Sequence, residues 1–171
     1  MKRRWLLFAV LALGLTMSFA TAARSASAWK ALIAARFPDV LWVDAETLAG
    51  WMSGTNAGEL VLLDVRNSEE QEVSQLHGAQ HVDPVHPNVA ALGIPKDAKV
   101  VVYCSIGYRS AAVIEDLERA GIQNVYNLEG GLFDWANQNR PVYRSEERVD
   151  EVHPYNRLWG LLLRKDRRTA Q

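Results

Sequence analysis

Two hydrophobic rhythms run along this chain. Short unbroken apolar runs suit strands buried on both faces, and stretches of mixed polarity with a helical repeat lie between them. Trp29 to Phe37 places Trp29, Leu32, Ile33 and Phe37 on one helical face, and Pro38 ends that helix. Leu41 to Val43 reads as a strand. Ala45 to Met52 reads as a helix with Asp44 as its N-cap, followed by a turn-rich loop over Ser53 to Gly58. Leu60 to Val65 is apolar except for Asp64, and Lys99 to Tyr103 is the strongest strand signal in the chain. Between those two runs the pattern predicts a helical turn over Glu69 to Val73, a short strand over Ala79 to Val82, and a weak helix over Val85 to Leu92 stopped by Gly93 and Pro95. Arg109 to Ala120 is amphipathic and closes at Gly121. Val125 to Leu128 is a further strand, and Gly130-Gly131 turns into a helix over Leu132 to Asn137. Strands alternating with helices predict an α/β domain with a mostly parallel sheet, which residues 29–143 can account for. Residues 144–171 form a C-terminal extension. It opens with the acidic stretch Glu146 to Glu151, and Leu158, Trp159, Leu161, Leu162 and Leu163 within Arg157 to Arg168 predict a terminal helix, with Leu158, Trp159 and Leu162 packing on the domain.

Composition changes this picture at the N-terminus. Lys2, Arg3 and Arg4 precede an uncharged run from Trp5 to Phe19, and small residues follow in Ala20-Thr21-Ala22 and Ala26-Ser27-Ala28. That order predicts a secretory signal peptide over residues 1–28, cut after Ala22 or Ala28, and a periplasmic or secreted location. Membrane contact is expected only if the segment stays uncleaved as an anchor. Removing residues 1–28 takes away Lys2, Arg3, Arg4 and Arg24 and no acid, leaving a mildly acidic domain. The whole chain has a net charge of −1 over 171 residues, which gives no basic excess and predicts no nucleic-acid partner.

The single cysteine, Cys104, cannot form an internal disulfide, so it is either a buried structural thiol or a reactive one. It directly follows the strongest strand, and Ser105-Ile106-Gly107-Tyr108 lead from it to Arg109 at the start of a helix. Ligands of parallel sheets bind beyond the strands' carboxyl ends, where the N–H groups of the next helix also point. A thiol placed there is cradled by N–H donors that favour thiolate over thiol. Gly107 lets the loop wrap tightly, and Arg109 supplies a fixed charge and a forked donor for an oxyanion. The Cys-x-x-Gly-x-Arg spacing between strand and helix therefore points to a reactive cysteine.

These residues also resemble a family. Cys104-Ser105-Ile106-Gly107-Tyr108-Arg109-Ser110 is similar to the active-site loop of rhodanese domains, and the likeness extends over most of residues 41–143. Leu63-Asp64-Val65-Arg66 resembles the family's Asp-Val-Arg strand end, Gly78-Ala79 its Gly-Ala turn, and Leu128-Glu129-Gly130-Gly131-Leu132-Phe133-Asp134-Trp135 its closing Gly-Gly-x-x-x-Trp element. The resemblance implies a five-stranded parallel sheet flanked by helices. It also implies persulfide chemistry, in which Cys104 takes sulfur from a donor such as thiosulfate and passes it to cyanide or a thiol. By the same resemblance, Ser105, Ile106, Gly107, Tyr108 and Ser110 belong to the persulfide loop and Arg109 contacts the donor anion. One departure is Ser74-Gln75-Leu76-His77-Gly78-Ala79, where the family often has Gly-His-Ile-Pro-Gly-Ala; a local change of loop is expected.

Other candidates carry less. Asp64, Arg66 and Glu70 are expected to form a structural polar network beside the loop, because buried charges need pairing. Tyr108 either shapes the mouth of the pocket or is simply exposed. His77, His81 and His86 fit no common metal spacing, so neither a metal nor a cofactor is expected. The expected partners are a small-molecule sulfur donor and acceptor, with a protein acceptor left open. The rival functions are a cysteine-dependent phosphatase or arsenate reductase of related fold, for which no clear general acid stands out and only Asp83 and Asp134 are left open, and a non-catalytic rhodanese module that binds a partner or delivers sulfur. Four residues separate Cys104 from Arg109, where cysteine phosphatases generally have five, and this tighter loop favours a persulfide over a tetrahedral phosphate.

Overall fold

The computed structural model describes residues 29–54, 60–95 and 97–169. The expected export signal over residues 1–28 lies outside the described residues, as does most of the loop expected after Ser53. The first helix, α1, covers residues 29–36. The elements after it are β1 (Leu41–Val43), α2 (Ala45–Ser53), β2 (Leu60–Asp64), α3 (Ser68–Val73), β3 (Gln80–His81), β4 (Lys99–Tyr103), α4 (Tyr108–Arg119), β5 (Val125–Leu128), α5 (Gly131–Asn137), β6 (Val142–Arg144) and β7 (Glu147–Val149).

The first five strands form one parallel sheet in the order β1-β5-β4-β2-β3; the alternating pattern implied a mostly parallel sheet, and the resemblance implied its five strands. β4 lies at its centre and pairs with β2 from Leu60↔Lys99 to Asp64↔Tyr103. Successive side chains of a strand point to opposite faces, so β4 supplies both halves of the core. Val100 and Val102 pack with Ile33 and Phe37 and with Val113, Ile114 and Leu117 of α4. Val101 and Tyr103 pack with Leu48 of α2 and with Leu132, Phe133 and Trp135 of α5. Asp44 caps α2 as expected, its Oδ1 accepting from the Thr47 N–H at 2.8 Å.

Three expected elements differ. β3 has only two residues. The expected helix over Val85 to Leu92 is reduced to one 3-10 turn, Val89–Leu92. Pro87 has no N–H to give a helix, and the Asp83 carboxylate takes the N–H groups of Val85 (2.8 Å) and His86 (3.2 Å) instead. The expected terminal helix is replaced by 3-10 turns over Trp159–Leu162 and Lys165–Arg167. Side chains compete with helical bonding there. Asn156 Oδ1 accepts from Leu158 and Trp159 N–H, while Asn137 donates to the Leu162 carbonyl and accepts from the Arg164 N–H, all at 2.8–3.0 Å.

The tail is nonetheless part of the domain. The boundary expected at residue 143 falls within β6, which pairs antiparallel with β7 and bridges Gln75 through Tyr143. Val152 and Leu163 are buried in the same core face as Tyr103 and Trp135. Of the three tail residues expected to pack, Trp159 and Leu162 are partly buried, but Leu158 is 70% exposed; Leu163 takes its place.

Candidate functional site

Cys104 is the first residue beyond β4, and α4 begins four residues later at Tyr108. Gly107, the N-cap of α4, has φ 101, which an L side chain rarely adopts. Its N–H donates to Cys104 Sγ at 3.1 Å. The first N–H groups of α4 have no carbonyl to reach within their own helix, so the sulfur sits at the positive end of the helix dipole. Ser110 Oγ lies 3.6 Å from Sγ and 2.7 Å from Asn127 Oδ1, so the shorter contact takes its one hydrogen. Asn127 Nδ2 in turn donates to the Gly107 carbonyl at 2.8 Å. Asn127 on β5 therefore braces the α4 end of the loop at Gly107 and Ser110; nothing in its own sequence neighbourhood signals this role, which depends on the β4–β5 register.

The loop is clamped from the other side by α5. The Leu132 and Phe133 N–H groups donate to the carbonyls of Cys104 (2.9 Å) and Ser105 (3.0 Å). This approach requires Gly131, because a Cβ there would stand 2.4 Å from the Cys104 carbonyl oxygen and 2.7 Å from the Ile106 nitrogen. The physical task of the Gly-Gly motif is thus to let a helix N-terminus rest on the cysteine loop.

The expected network of Asp64, Arg66 and Glu70 divides in two. Asp64 and Arg66 form a closed pair: Nε and Nη2 donate to the carboxylate at 2.6–3.2 Å, with both side chains fully buried. From Glu70, Arg66 receives only the backbone carbonyl, at 3.3 Å. The Glu70 carboxylate turns instead to the cysteine loop. It accepts from Arg109 Nη1 and Nη2 at 2.7 and 2.9 Å, from Ser105 Oγ at 2.5 Å and from the Asn67 N–H at 3.1 Å. Glu70 therefore belongs with the loop rather than with the framework. Burial works to raise its pKa, but the Arg109 guanidinium, the Ser105 hydroxyl and the Asn67 N–H outweigh it and hold the carboxyl below its ordinary value. Burial likewise opposes the charge on Arg109, yet Glu70 and Cys104 together raise its pKa.

A cavity of about 340 Å³ opens above the sulfur. Cys104, Ser105, Ile106, Tyr108 and Arg109 line it from the loop side. Trp29, Leu32 and Ile33 of α1 and Tyr155 and Trp159 of the tail close it from the other side. Tyr108 thus stands at the cavity with its ring edge against Phe37, 5.6 Å between centroids. Neither of the candidate acids for phosphate chemistry lines it. Asp83 caps its own turn, and Asp134 accepts from Gln138 Nε2 at 2.8 Å, with burial pushing its carboxyl pKa up. The three histidines are not gathered either, and no group of three or more His, Cys, Asp or Glu suited to a metal occurs among the described residues.

Against known proteins, the family model described as "Rhodanese-like domain" matches residues 44–138. A sulfurtransferase of Allochromatium vinosum is 31% identical over 108 residues, covering 61% of this chain and 95% of that protein. The probable adenylyltransferase/sulfurtransferase MoeZ of Mycobacterium tuberculosis is 30% identical over 96 residues, 55% of this chain, and the match spans only 24% of that longer protein. Among solved structures, a rhodanese-related protein of Thermoplasma volcanium aligns with a TM-score of 0.53 at 26% identity, over 61% of this chain and 99% of its own.

Proposed function

This chain belongs to the rhodanese-like family, and on that footing we propose that it is an exported sulfurtransferase that carries sulfane sulfur as a persulfide on Cys104. The Cys104 thiolate attacks the outer sulfur of a donor such as thiosulfate. The new S–S bond forms as the donor's own S–S bond breaks, and its electron pair leaves with sulfite. An acceptor thiolate or cyanide then attacks the terminal sulfur of the persulfide, and the Cys104 thiolate is released. The Gly107 N–H and the α4 N-terminus stabilise negative sulfur, and Arg109 faces the departing anion. The carrying observation is the position of Sγ, which accepts a backbone N–H at the floor of an open cavity.

Intact mass after incubation with thiosulfate tests this. One added sulfur is expected, absent in Cys104→Ser, together with Cys104-dependent formation of thiocyanate from cyanide. Aryl-phosphate turnover that depends on Cys104, with no persulfide detected, would replace this reading with the phosphatase one. Export rests on the basic, apolar and small-residue order of residues 1–28. N-terminal sequencing of the protein from its native host is expected to find Ala23 or Trp29 first, and Met1 retained in a membrane fraction would favour the anchor.

A further inference from the structure

The cavity over Cys104 offers more apolar surface than a small inorganic dianion can use. Among the described residues Arg109 is the one cationic side chain lining it, and that charge is already engaged. Glu70 accepts from both Nη atoms, Nη2 also donates to Ser105 Oγ at 3.0 Å, and the Tyr155 ring covers the guanidinium carbon at 4.8 Å. The wall opposite the loop is aromatic and aliphatic. Trp29 and Trp159 meet edge to face with centroids 4.8 Å apart, and Leu32 stands at the mouth, 62% exposed. Tyr155 holds φ 62, a conformation unfavourable for an aromatic residue, in a turn fixed by its N–H donating to His153 Nδ1 at 3.0 Å. Backbone strain is thus accepted to bring this ring over Arg109.

The wall also lies outside the stretch that matches the family model. Trp29, Leu32, Ile33, Tyr155 and Trp159 all lie outside residues 44–138, the stretch that matches the family, whereas every loop residue at the cavity lies inside it. Two segments from opposite ends of the chain converge on the nucleophile and offer it an apolar enclosure. A volume of about 340 Å³ is at the size of small-molecule pockets, which are mostly apolar with a few placed polar groups.

We infer that this wall binds the apolar body of an organic sulfane-sulfur donor, such as an aryl or long-chain thiosulfonate, and makes the enzyme prefer it over donors of the same reactive group with a smaller body. The inference rests on the persulfide reading above. With a thiosulfonate, R–SO₂–S⁻, the Cys104 thiolate takes the terminal sulfur; the S–S bond of the donor breaks and its electron pair leaves as the sulfinate R–SO₂⁻. Two negative charges enter and two leave, so no further reactant is needed. The leaving group carries one charge where sulfite carries two, in keeping with a guanidinium already paired to Glu70.

The test compares benzenethiosulfonate with methanethiosulfonate in the full chain, with cyanide as acceptor and thiocyanate as readout. Their intrinsic reactivity toward a simple thiol is measured in parallel and divided out. Benzenethiosulfonate is expected to show a kcat/KM at least about tenfold higher, since an apolar pocket distinguishes even one methylene by about that factor. The difference should lie in KM, because contacts to the body are the same before and during sulfur transfer. Leu32→Gln, at an exposed position where folding is not at stake, is expected to cut the preference several-fold, and Trp159→Ala to bring it close to one. A corrected ratio near one in the unaltered protein, or a ratio that neither variant moves, overturns the inference while leaving Cys104 chemistry intact. Failure of every donor, thiosulfate included, to add sulfur to Cys104 overturns both this and the parent reading.

Discussion

Two arginine–carboxylate pairs flank helix α3, and they differ in what surrounds them. Arg66 and Asp64 are both fully buried, and the guanidinium spends its remaining donors on the carbonyls of Glu70 and Ser74. Arg109 and Glu70 have equally short contacts, but Arg109 keeps 22% of its side chain exposed at the cavity. The first pair is closed, so its charges serve only to satisfy each other and the surrounding backbone. The second shares its arginine with the space where a substrate must sit. Similar local chemistry thus becomes framework in one place and site in the other, and access to the cavity is what separates them.

The largest expected effect is on the closed pair. Asp64→Asn leaves the Arg66 charge buried without its counter-charge, and should destabilise the fold by about 3–5 kcal/mol in denaturant unfolding. A loss comparable to that of a surface pair would show that burial does not separate the two pairs. Next is Gly131→Ala, which forces a Cβ into the Cys104 carbonyl at a left-handed φ of 58. A cost of about 1–3 kcal/mol is expected from the strained backbone alone, with Cys104 alkylation also changing in rate because the loop must shift.

Glu70→Gln should cost less than Asp64→Asn, about 1–2 kcal/mol, since it weakens charge-assisted hydrogen bonds while Arg109 can still reach solvent. Its pH dependence is more informative. The folded carboxyl titrates below its ordinary value of 4.5, so the stability it contributes is full above that value and is lost as pH falls through the lower folded value. Unfolding midpoints of the unaltered protein and Glu70→Gln should therefore converge in acid below about pH 4.5, and a constant gap down that range would contradict it. Arg109→Ala stands apart by its effect on function, although it also costs stability because it leaves the buried Glu70 carboxylate without its counter-charge. It should lower kcat/KM for thiosulfate while Cys104 still reacts with an alkylating agent, because the Gly107 N–H and the α4 N-terminus remain in place.

Much of the fold was legible along the chain. β1, β4 and β5 fall on the expected residues, because short β-rich apolar runs between turn residues have few alternatives. Asp44 was readable as a cap because capping is a local bond to a residue three positions on. The tail was not readable in the same way. Its leucines predicted a helix, but Asn137, distant in sequence, binds the backbone on either side of Leu163 and holds it out of helical form. The partner of the Glu70 carboxylate was hidden for a related reason: Arg66 is close in sequence, while Arg109 is 39 residues away.

The sequence by itself determined where the strands of the parallel sheet lie, which cysteine is available, and the four-residue loop that sets it before a helix. Those are local matters of periodicity, residue type and spacing. Only the tertiary structure decided which carboxylate meets which arginine, that Asn127 braces the cysteine loop, and that Trp29 and Trp159 close one wall over it. Side-chain pairing across a parallel sheet depends on register and on which face each residue takes, and two aromatic residues 130 positions apart along the chain meet only after the sheet between them has formed.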